Sequence, residues 1–487
     1  MIRAGPWDHG PVTQLSTQRP GQSLHQPGHN APPNVLGDVP LGPLDGRYRA
    51  TVAPLAQHLS EAALNQRRVH VEVEWLIHLT ATGAVPGLRK LTPEEITHLR
   101  AIVTDFDADA VAELAETERV TLHDVKAVEY YVKKRMEGNS LSDLTEIVHL
   151  FCTSEDINNL SYALMVRDAV ALVWLPAAWA LHEDVTDLAF ELRDLPMLAR
   201  THGQPATPTT LGKELAVLAH RLGRQLRRID KTEFLGKING ATGTFSAHVA
   251  GAPDTDWIEI SRTFVEHLGL TWNPLTTQIE SHDWQAELYS DVARFNRVLH
   301  NLCTDVWTYI SMGYFIQVRG QGSVGSSTMP HKVNPIRFEN AEANLEVSNG
   351  LLGVLEQTLV TSRLQRDLTD SSMQRNIGIA FGHSLLAIDN ARKGLAGLDA
   401  DPEALARDLD ATWEVLGEAV QSVMRVHGLE QPYERLKELT RGRKVDAEVM
   451  REFVAGLGLP EDVAKRLTEL SPATYVGVAS KLVDQLG

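Results

Sequence analysis

QAELYSDVARFNRVLHNLCTDVWTYISMGYF, residues 285–315, decides the fold class. Its apolar residues Leu288, Val292, Phe295, Leu299, Leu302, Val306 and Tyr309 recur at alternating spacings of four and three. On a helix that spacing lines up one face. No proline interrupts the stretch, so it predicts one long bundle helix with a continuous apolar seam. Such a seam exposes more apolar surface than one protomer easily covers, which predicts association with further copies of the chain.

Outward from this stretch the helical spacing persists. Ser161 to Leu192 and Leu211 to Leu235 carry similar patterns, broken by loop signals at Pro196 and at Pro205-Ala206-Thr207-Pro208. Strand-like alternation is scarce, so the chain reads as all-α with a long central helical bundle. The pattern breaks at Gly138-Asn139-Ser140 and changes again near Leu364 to Ser372, after which shorter helices follow. Asp401-Pro402 opens one of these and Gly428 to Pro432 closes it. Residues 1–40, rich in proline, glycine, glutamine and histidine, read as a disordered or loosely attached extension. An N-terminal helical domain is expected over 41–140, a central long-helix bundle over 141–364 and a C-terminal helical domain over 365–487.

The chain has 487 residues, of which 43% are hydrophobic and 22% charged, within the ordinary range for a globular protein. Its 46 basic and 63 acidic residues give a net charge of −17, which argues against a general nucleic-acid binder. Cys152 and Cys303 lie far apart and form no disulfide framework, so a reducing cytoplasm is expected. No apolar run of about eighteen residues and no export signal are visible, so no membrane partner is expected.

Four stretches carry candidate chemistry. Gly325-Ser326-Ser327-Thr328-Met329-Pro330-His331-Lys332-Val333-Asn334-Pro335 follows the glycine-punctuated run from Gly320. Glycines widen backbone freedom, so this reads as a mobile loop able to close over an anionic ligand. A helical pattern resumes from Pro335 to Leu345. Thr201-His202-Gly203-Gln204-Pro205-Ala206-Thr207-Pro208 sets a histidine on an irregular turn ahead of a helix. His123-Asp124-Val125-Lys126 opens a helix within Arg119 to Tyr131, and Thr153 or Ser154 followed by acids makes a capped helix start.

The first of these strings resembles the signature of the fumarase/aspartase superfamily, whose members eliminate fumarate from succinyl-bearing substrates. All four, in order, resemble the adenylosuccinate lyase family in its longer bacterial subgroup. Asp45-Gly46-Arg47-Tyr48, Leu235-Gly236-Lys237-Ile238-Asn239-Gly240-Ala241 and Gln278-Ile279-Glu280 agree with it. So do Ser362-Arg363, Arg366-Asp367-Leu368-Thr369-Asp370-Ser371 and Leu439-Thr440-Arg441-Gly442. The resemblance runs from Pro43 to Leu486.

It implies a three-domain fumarase/aspartase-like fold and a homotetramer whose sites each draw on three chains. The implied reaction is β-elimination of fumarate from adenylosuccinate, giving AMP, and from succinylaminoimidazole carboxamide ribotide. No cofactor and no metal are implied. Ser326 maps to the base, with Ser327 as its rival and a substrate contact. His202 maps to the general acid, with Glu339 as its carboxylate partner. Lys332, Asn334, Thr153 and Ser154 map to the succinyl carboxylates, His123 and Asp124 to substrate orientation, and Gln278 to the neighbourhood of the base. Arg47, Tyr48, Arg366, Ser371 and Arg375 map to the phosphate end, where guanidinium groups bind well. Asn340, beside Glu339, is a further substrate contact. Leu122 replaces a polar residue that often precedes the His-Asp pair, so a backbone contact is expected there. An argininosuccinate lyase would not need Asp45 to Tyr48. A non-catalytic structural relative should show eroded positions, whereas Ser326, His202, Lys332 and Glu339 are all present.

Overall fold

The structure, a computed structural model, describes residues 40–317, 329, 332–441 and 445–486. Ser326, Ser327 and the expected extension up to residue 39 lie outside the described residues.

Five helices come first: α1 (Arg49–Leu59), α2 (Glu61–Thr82), α3 (Pro93–Thr104), α4 (Ala108–Thr121) and α5 (Asp124–Met136). Ser60 caps α2 by accepting from the Ala63 N–H at 3.2 Å, and Gly83 ends it in the left-handed region at φ 67°. Thr92 and Glu95 form a reciprocal capping box on α3. Val69, Val73, Leu76, Leu99, Val128 and Val132 enclose a local core among these helices.

Next, α6 (Ser154–Ala169) runs through a π-helical turn, Val170–Trp174, into α7 (Leu175–Glu191). The combined helix, Ser154–Glu191, is long and apolar enough to cross a membrane. The sequence reading missed this because Arg167 and Asp168 interrupt the apolar run. Ile157, Leu160, Val166, Trp174, Leu181 and Val185 are nevertheless buried against neighbouring helices, as the core helix of a bundle requires.

Where the sequence offered only loop signals, β1 (Pro196–Thr201) and β2 (Gln204–Thr210) form an antiparallel hairpin. In a two-stranded sheet both strands are edges, so Pro196, Pro205 and Pro208 are tolerated. Then α8 (Leu211–Ile229) ends before Leu235, which instead belongs to β3 (Leu235–Gly236). Two short helices follow, α9 (Ser246–Gly251) and α10 (Trp257–His267), and β4 (Thr271–Trp272) pairs in parallel with β3.

The 285–315 seam lies in α11 (Asp283–Ser311). Leu288, Val292, Phe295, Leu299, Leu302 and Val306 are fully buried along it within the single chain, because neighbouring helices of the bundle cover the seam. The association expected from its exposure therefore does not follow from these residues. The helix stops at Ser311, not Phe315, because Gly313 turns the chain at φ 74°. Phe315–Gln317 becomes β5 and pairs antiparallel with β6 (Leu398–Ala400). Between those two strands come α12 (Ile336–Leu359), α13 (Thr369–Gln374) and α14 (Ile377–Leu395). The bundle is α7, α8, α11, α12 and α14. Gly212 sits where a Cβ would meet the Ala189 carbonyl at 2.3 Å, so only glycine lets α8 approach α7 this closely.

The C-terminal part holds α15 (Pro402–Asp410), α16 (Gly417–Val426), α17 (Pro432–Thr440), α18 (Ala447–Ala455), α19 (Glu461–Thr468) and α20 (Ala479–Leu482). Asp401 caps α15 by accepting from the Glu403 and Ala404 N–H groups at 3.0 Å. The stretch from Asp401 to Gly428 is two helices joined by a 3₁₀ turn, not one helix. Trp413, Leu416, Met424, Met450 and Val454 form its own apolar cluster. The fold is all-α in class, with three small two-stranded sheets among the described residues.

Candidate active site

Two helix starts converge. His123 caps α5, its Nδ1 accepting from the Lys126 N–H at 3.2 Å, and its Nε2 lies 3.5 Å from Ser154 Oγ in the first turn of α6. Asp124 accepts from the Arg68 guanidinium at 2.7 Å and from Arg375 at 3.2 Å. Burial alone would raise the Asp124 pKa, but Arg68, the Val125 N–H and Arg375 together hold it below the usual carboxylate value. Arg375 also pairs with Glu61. Arg68, almost fully buried, is fixed from its other side by Asn158 Oδ1 at 2.9 Å.

Arg366 joins this group from the other side. It donates to Gln278 Oε1 at 3.1 Å and meets Glu155 Oε1 at 3.1 Å. Gln278 in turn donates to the Ala241 carbonyl at 2.8 Å. Gln278 and Arg366, expected at opposite ends of a substrate, are thus bonded to each other. Ser371 follows Asp370, whose carboxylate lies 3.5 Å from His282 Nε2.

Beneath these groups lies a fully buried pair. Asp156 accepts from Lys237 Nζ at 2.8 Å, the Asn239 N–H at 2.9 Å, the Gly240 N–H at 3.1 Å and the Thr153 N–H at 2.9 Å. One carboxylate therefore ties the segment entering α6 to the 239–241 turn. The adjoining backbone is strained: His149, Phe151, Phe245 and His282 have φ of 63°, 66°, 56° and 61°, in the left-handed region.

His149 is held by Glu72, Nδ1 to Oε1 at 2.5 Å. Burial would lower the His149 pKa, but the Glu72 charge and hydrogen bond outweigh it and the net shift is upward. A raised folded-state pKa adds stability that is complete below the unfolded value of about 6.5 and is lost as pH rises through the folded pKa. Glu72→Gln should therefore cost most stability at pH 6, and the gap to the wild type should narrow as pH rises. Urea unfolding across that range measures it, and a gap independent of pH would refute the assignment.

Other expected residues stand elsewhere. Arg47 lies over the Tyr48 ring at 5.7 Å, and the Tyr48 hydroxyl accepts from Asn340 Nδ2 at 3.1 Å. Glu339 accepts from Trp307 Nε1 at 3.1 Å. His202 occupies the exposed tip of the β1–β2 hairpin at φ 54°, and no hydrogen bond joins it to Glu339 within the chain. Lys332 and Asn334 are exposed just ahead of α12, where the Lys332 N–H donates to the Met329 carbonyl at 2.9 Å. Leu122 ends α4 in the left-handed region, and its N–H is spent on the Glu118 carbonyl at 2.7 Å. Only its carbonyl remains for the backbone contact expected there. One chain thus gathers His123, Asp124, Thr153, Ser154, Gln278, Arg366, Ser371 and Arg375 around the starts of α5 and α6.

Residues 46–347 match the family model described as lyase, and residues 362–476 match the one described as adenylosuccinate lyase C-terminal. The adenylosuccinate lyase of Escherichia coli is 49% identical over 447 residues, covering 92% of this chain and 98% of its own. Those of Vibrio cholerae and Haemophilus influenzae are 47% and 46% identical, each again covering 92% of this chain and 98% of its own. The chain belongs to the adenylosuccinate lyase family.

Solved structures agree in fold. A fumarate lyase from Mesorhizobium sp. BNC1 superposes with a TM-score of 0.72 at 20% identity, over 89% of this chain and 97% of that one. The 3-carboxy-cis,cis-muconate lactonizing enzyme from Pseudomonas putida gives 0.71 at 22%, over 89% and 96%. Within this adenylosuccinate lyase family member, sequence reading gives Glu155 and Asp156 only a place in the capped start of α6, which the Thr153–Asp156 capping box bears out, and gives no role to Arg68, Lys237 or His282. Lys237, set among Leu235, Gly236 and Ile238, was the one visible signal of a buried cation. The others are ordinary polar residues until the fold sets them side by side.

Proposed function

We propose that this chain is an adenylosuccinate lyase, releasing fumarate from adenylosuccinate to give AMP and from succinylaminoimidazole carboxamide ribotide to give its carboxamide. The observation that carries this reading is the convergence of His123, Ser154, Gln278, Arg366 and Arg375, from four separate stretches, on one polar site. In the reaction a base takes the proton from the carbon beside one succinyl carboxylate. The neighbouring C–N bond breaks, a C=C bond forms, and the departing nitrogen receives a proton. The intermediate carbanion needs fixed donors around its carboxylate. Base and acid must stand on opposite sides of the bond.

In this reading Ser326 is the base, with Ser327 its rival, and His202 is the acid, oriented by Glu339. Thr153, Ser154, Lys332 and Asn334 hold the carboxylates, His123 and Asp124 orient the substrate, and Gln278 lies in the neighbourhood of the base. Arg47, Tyr48, Asn340, Arg366, Ser371 and Arg375 take the nucleotide end. That no hydrogen bond joins His202 to Glu339 among the described residues supports a homotetramer whose sites are shared between subunits, since a partner copy then supplies the missing side. The exposed apolar residues Val347 and Val354 on α12 support the same assembly. Unpaired Cys152 and Cys303 support a cytoplasmic location.

Purified protein should convert adenylosuccinate, followed by its change in absorbance, and leave argininosuccinate untouched. The reverse preference would sink the reading. Arg366→Ala and Arg375→Ala should each weaken substrates bearing a 5′-phosphate by about 1.5–3 kcal/mol, as loss of a charged hydrogen bond does. Equal losses with the dephosphorylated nucleoside would assign these arginines to Glu155 and Asp124 alone.

A further inference from the structure

A line of polar side chains crosses the bundle from α14 to the chain entering α1. His383 Nδ1 meets Asn344 Oδ1 at 2.7 Å. Asn344 Nδ2 donates to the Asn340 carbonyl at 2.8 Å and to Asn340 Oδ1 at 3.1 Å. Asn340 Nδ2 donates to the Tyr48 hydroxyl at 3.1 Å. His383 and Asn344 are both buried, and neither figures in the reaction as described above.

The direction of this line is forced by one atom. The Asn340 backbone carbonyl can only accept, so the NH₂ end of Asn344 must face it. Asn344 Oδ1 must then face His383, and His383 must carry its proton on Nδ1. Because the same Asn344 NH₂ also meets Asn340 Oδ1, the NH₂ of Asn340 must face Tyr48. The Tyr48 oxygen therefore accepts, and its own O–H proton has no partner among the described residues. Reversing any link would set two acceptors or two donors against each other, at a cost comparable to a lost buried hydrogen bond. Burial lowers the His383 pKa, which keeps the ring a neutral single-proton donor at neutral pH.

We infer that His383 and Asn344 are positioning residues that set the polarity of this line, so that the Tyr48 hydroxyl is presented as a donor to an anionic oxygen of the substrate. The inference rests on the reading that Tyr48 meets the phosphate end. A tyrosine without this support could spend its proton on Asn340 and offer a phosphate only lone pairs. With the line intact it adds a neutral donor to the charged groups around it.

The test compares KM and kcat for adenylosuccinate and for its dephosphorylated nucleoside in four single variants and one double variant. Tyr48→Phe should raise KM for the phosphate-bearing substrate about tenfold, the effect of one hydrogen bond to a charged group. His383→Leu should raise the same KM about three- to tenfold, acting on KM rather than kcat and sparing the dephosphorylated substrate. His383→Gln, which keeps an N–H able to face Asn344, should restore it. In the Tyr48→Phe background, His383→Leu should have no further effect. Asn344→Asp, which can take the His383 proton but cannot donate to Asn340, should match His383→Leu, and it keeps the test open if His383→Leu fails to fold. Full additivity of His383→Leu with Tyr48→Phe, or no effect of His383→Leu and Asn344→Asp where Tyr48→Phe is weakened, would overturn the inference. A Tyr48→Phe variant with normal phosphate discrimination would instead remove Tyr48 from the phosphate end, and the inference with it.

Discussion

His202→Ala should lower kcat for adenylosuccinate by about 10²–10⁴-fold, the usual contribution of a positioned general acid. The fold should survive, because His202 is exposed at the tip of a hairpin and its truncation opens no core cavity. Ser326→Ala should be equally inactive while still binding substrate. If His202 and Ser326 of one site come from different subunits, the two inactive proteins can repair each other. Chains dissociated, mixed in equal amounts and reassembled should regain about one quarter of wild-type activity, since each site draws its two residues independently. Mixed assemblies no more active than either parent would place both residues on one chain. A normal kcat in His202→Ala would remove it from the chemistry altogether.

The largest effect on stability should come from Lys237→Met, at about 3–5 kcal/mol, because it leaves the Asp156 carboxylate buried without its cation. The three backbone N–H groups that Asp156 accepts from soften the loss but carry no full charge. Adding Asp156→Asn to Lys237→Met should recover part of it, as replacing both members of a buried pair removes the orphaned charge. Midpoints of urea unfolding at one fixed protein concentration measure both effects, since assembly would otherwise shift them. Unchanged midpoints in Lys237→Met would mean that the buried pair contributes no net stability.

Much of the architecture was legible because it is local. The seam from Leu288 to Val306 repeats within single turns, so periodicity finds it without knowing the neighbours. The cap at His123 was readable for the same reason. The β1–β2 hairpin was not, since its prolines read as loop and only pairing reveals the strands. The pairing of Phe315–Gln317 with Leu398–Ala400 joins segments with three helices between them, and no pattern in either announces the other. The site divides likewise. Residues inside contiguous motifs, such as Ser154 and Arg366, could be matched to a family. Arg68 lies in the middle of α2, and its meeting with Asp124 and Asn158 exists only once α2, α5 and α6 pack. Glu72 and His149 were invisible for that reason too.

The left-handed residues around the site have a consequence for how the protein would respond to improvement. Each non-glycine residue in that conformation costs roughly 1–2 kcal/mol. At Leu122, 87% exposed at the end of a helix, glycine would recover that cost and surrender little packing. At His149, Phe151 and His282 the same change would relieve the backbone but delete Glu72's partner, an aromatic neighbour of His248 and Trp257, or the group facing Asp370. Selection for thermostability alone would therefore accept glycine at Leu122 and be drawn into conflict at the other three, where the tense backbone holds the site in shape before any ligand arrives.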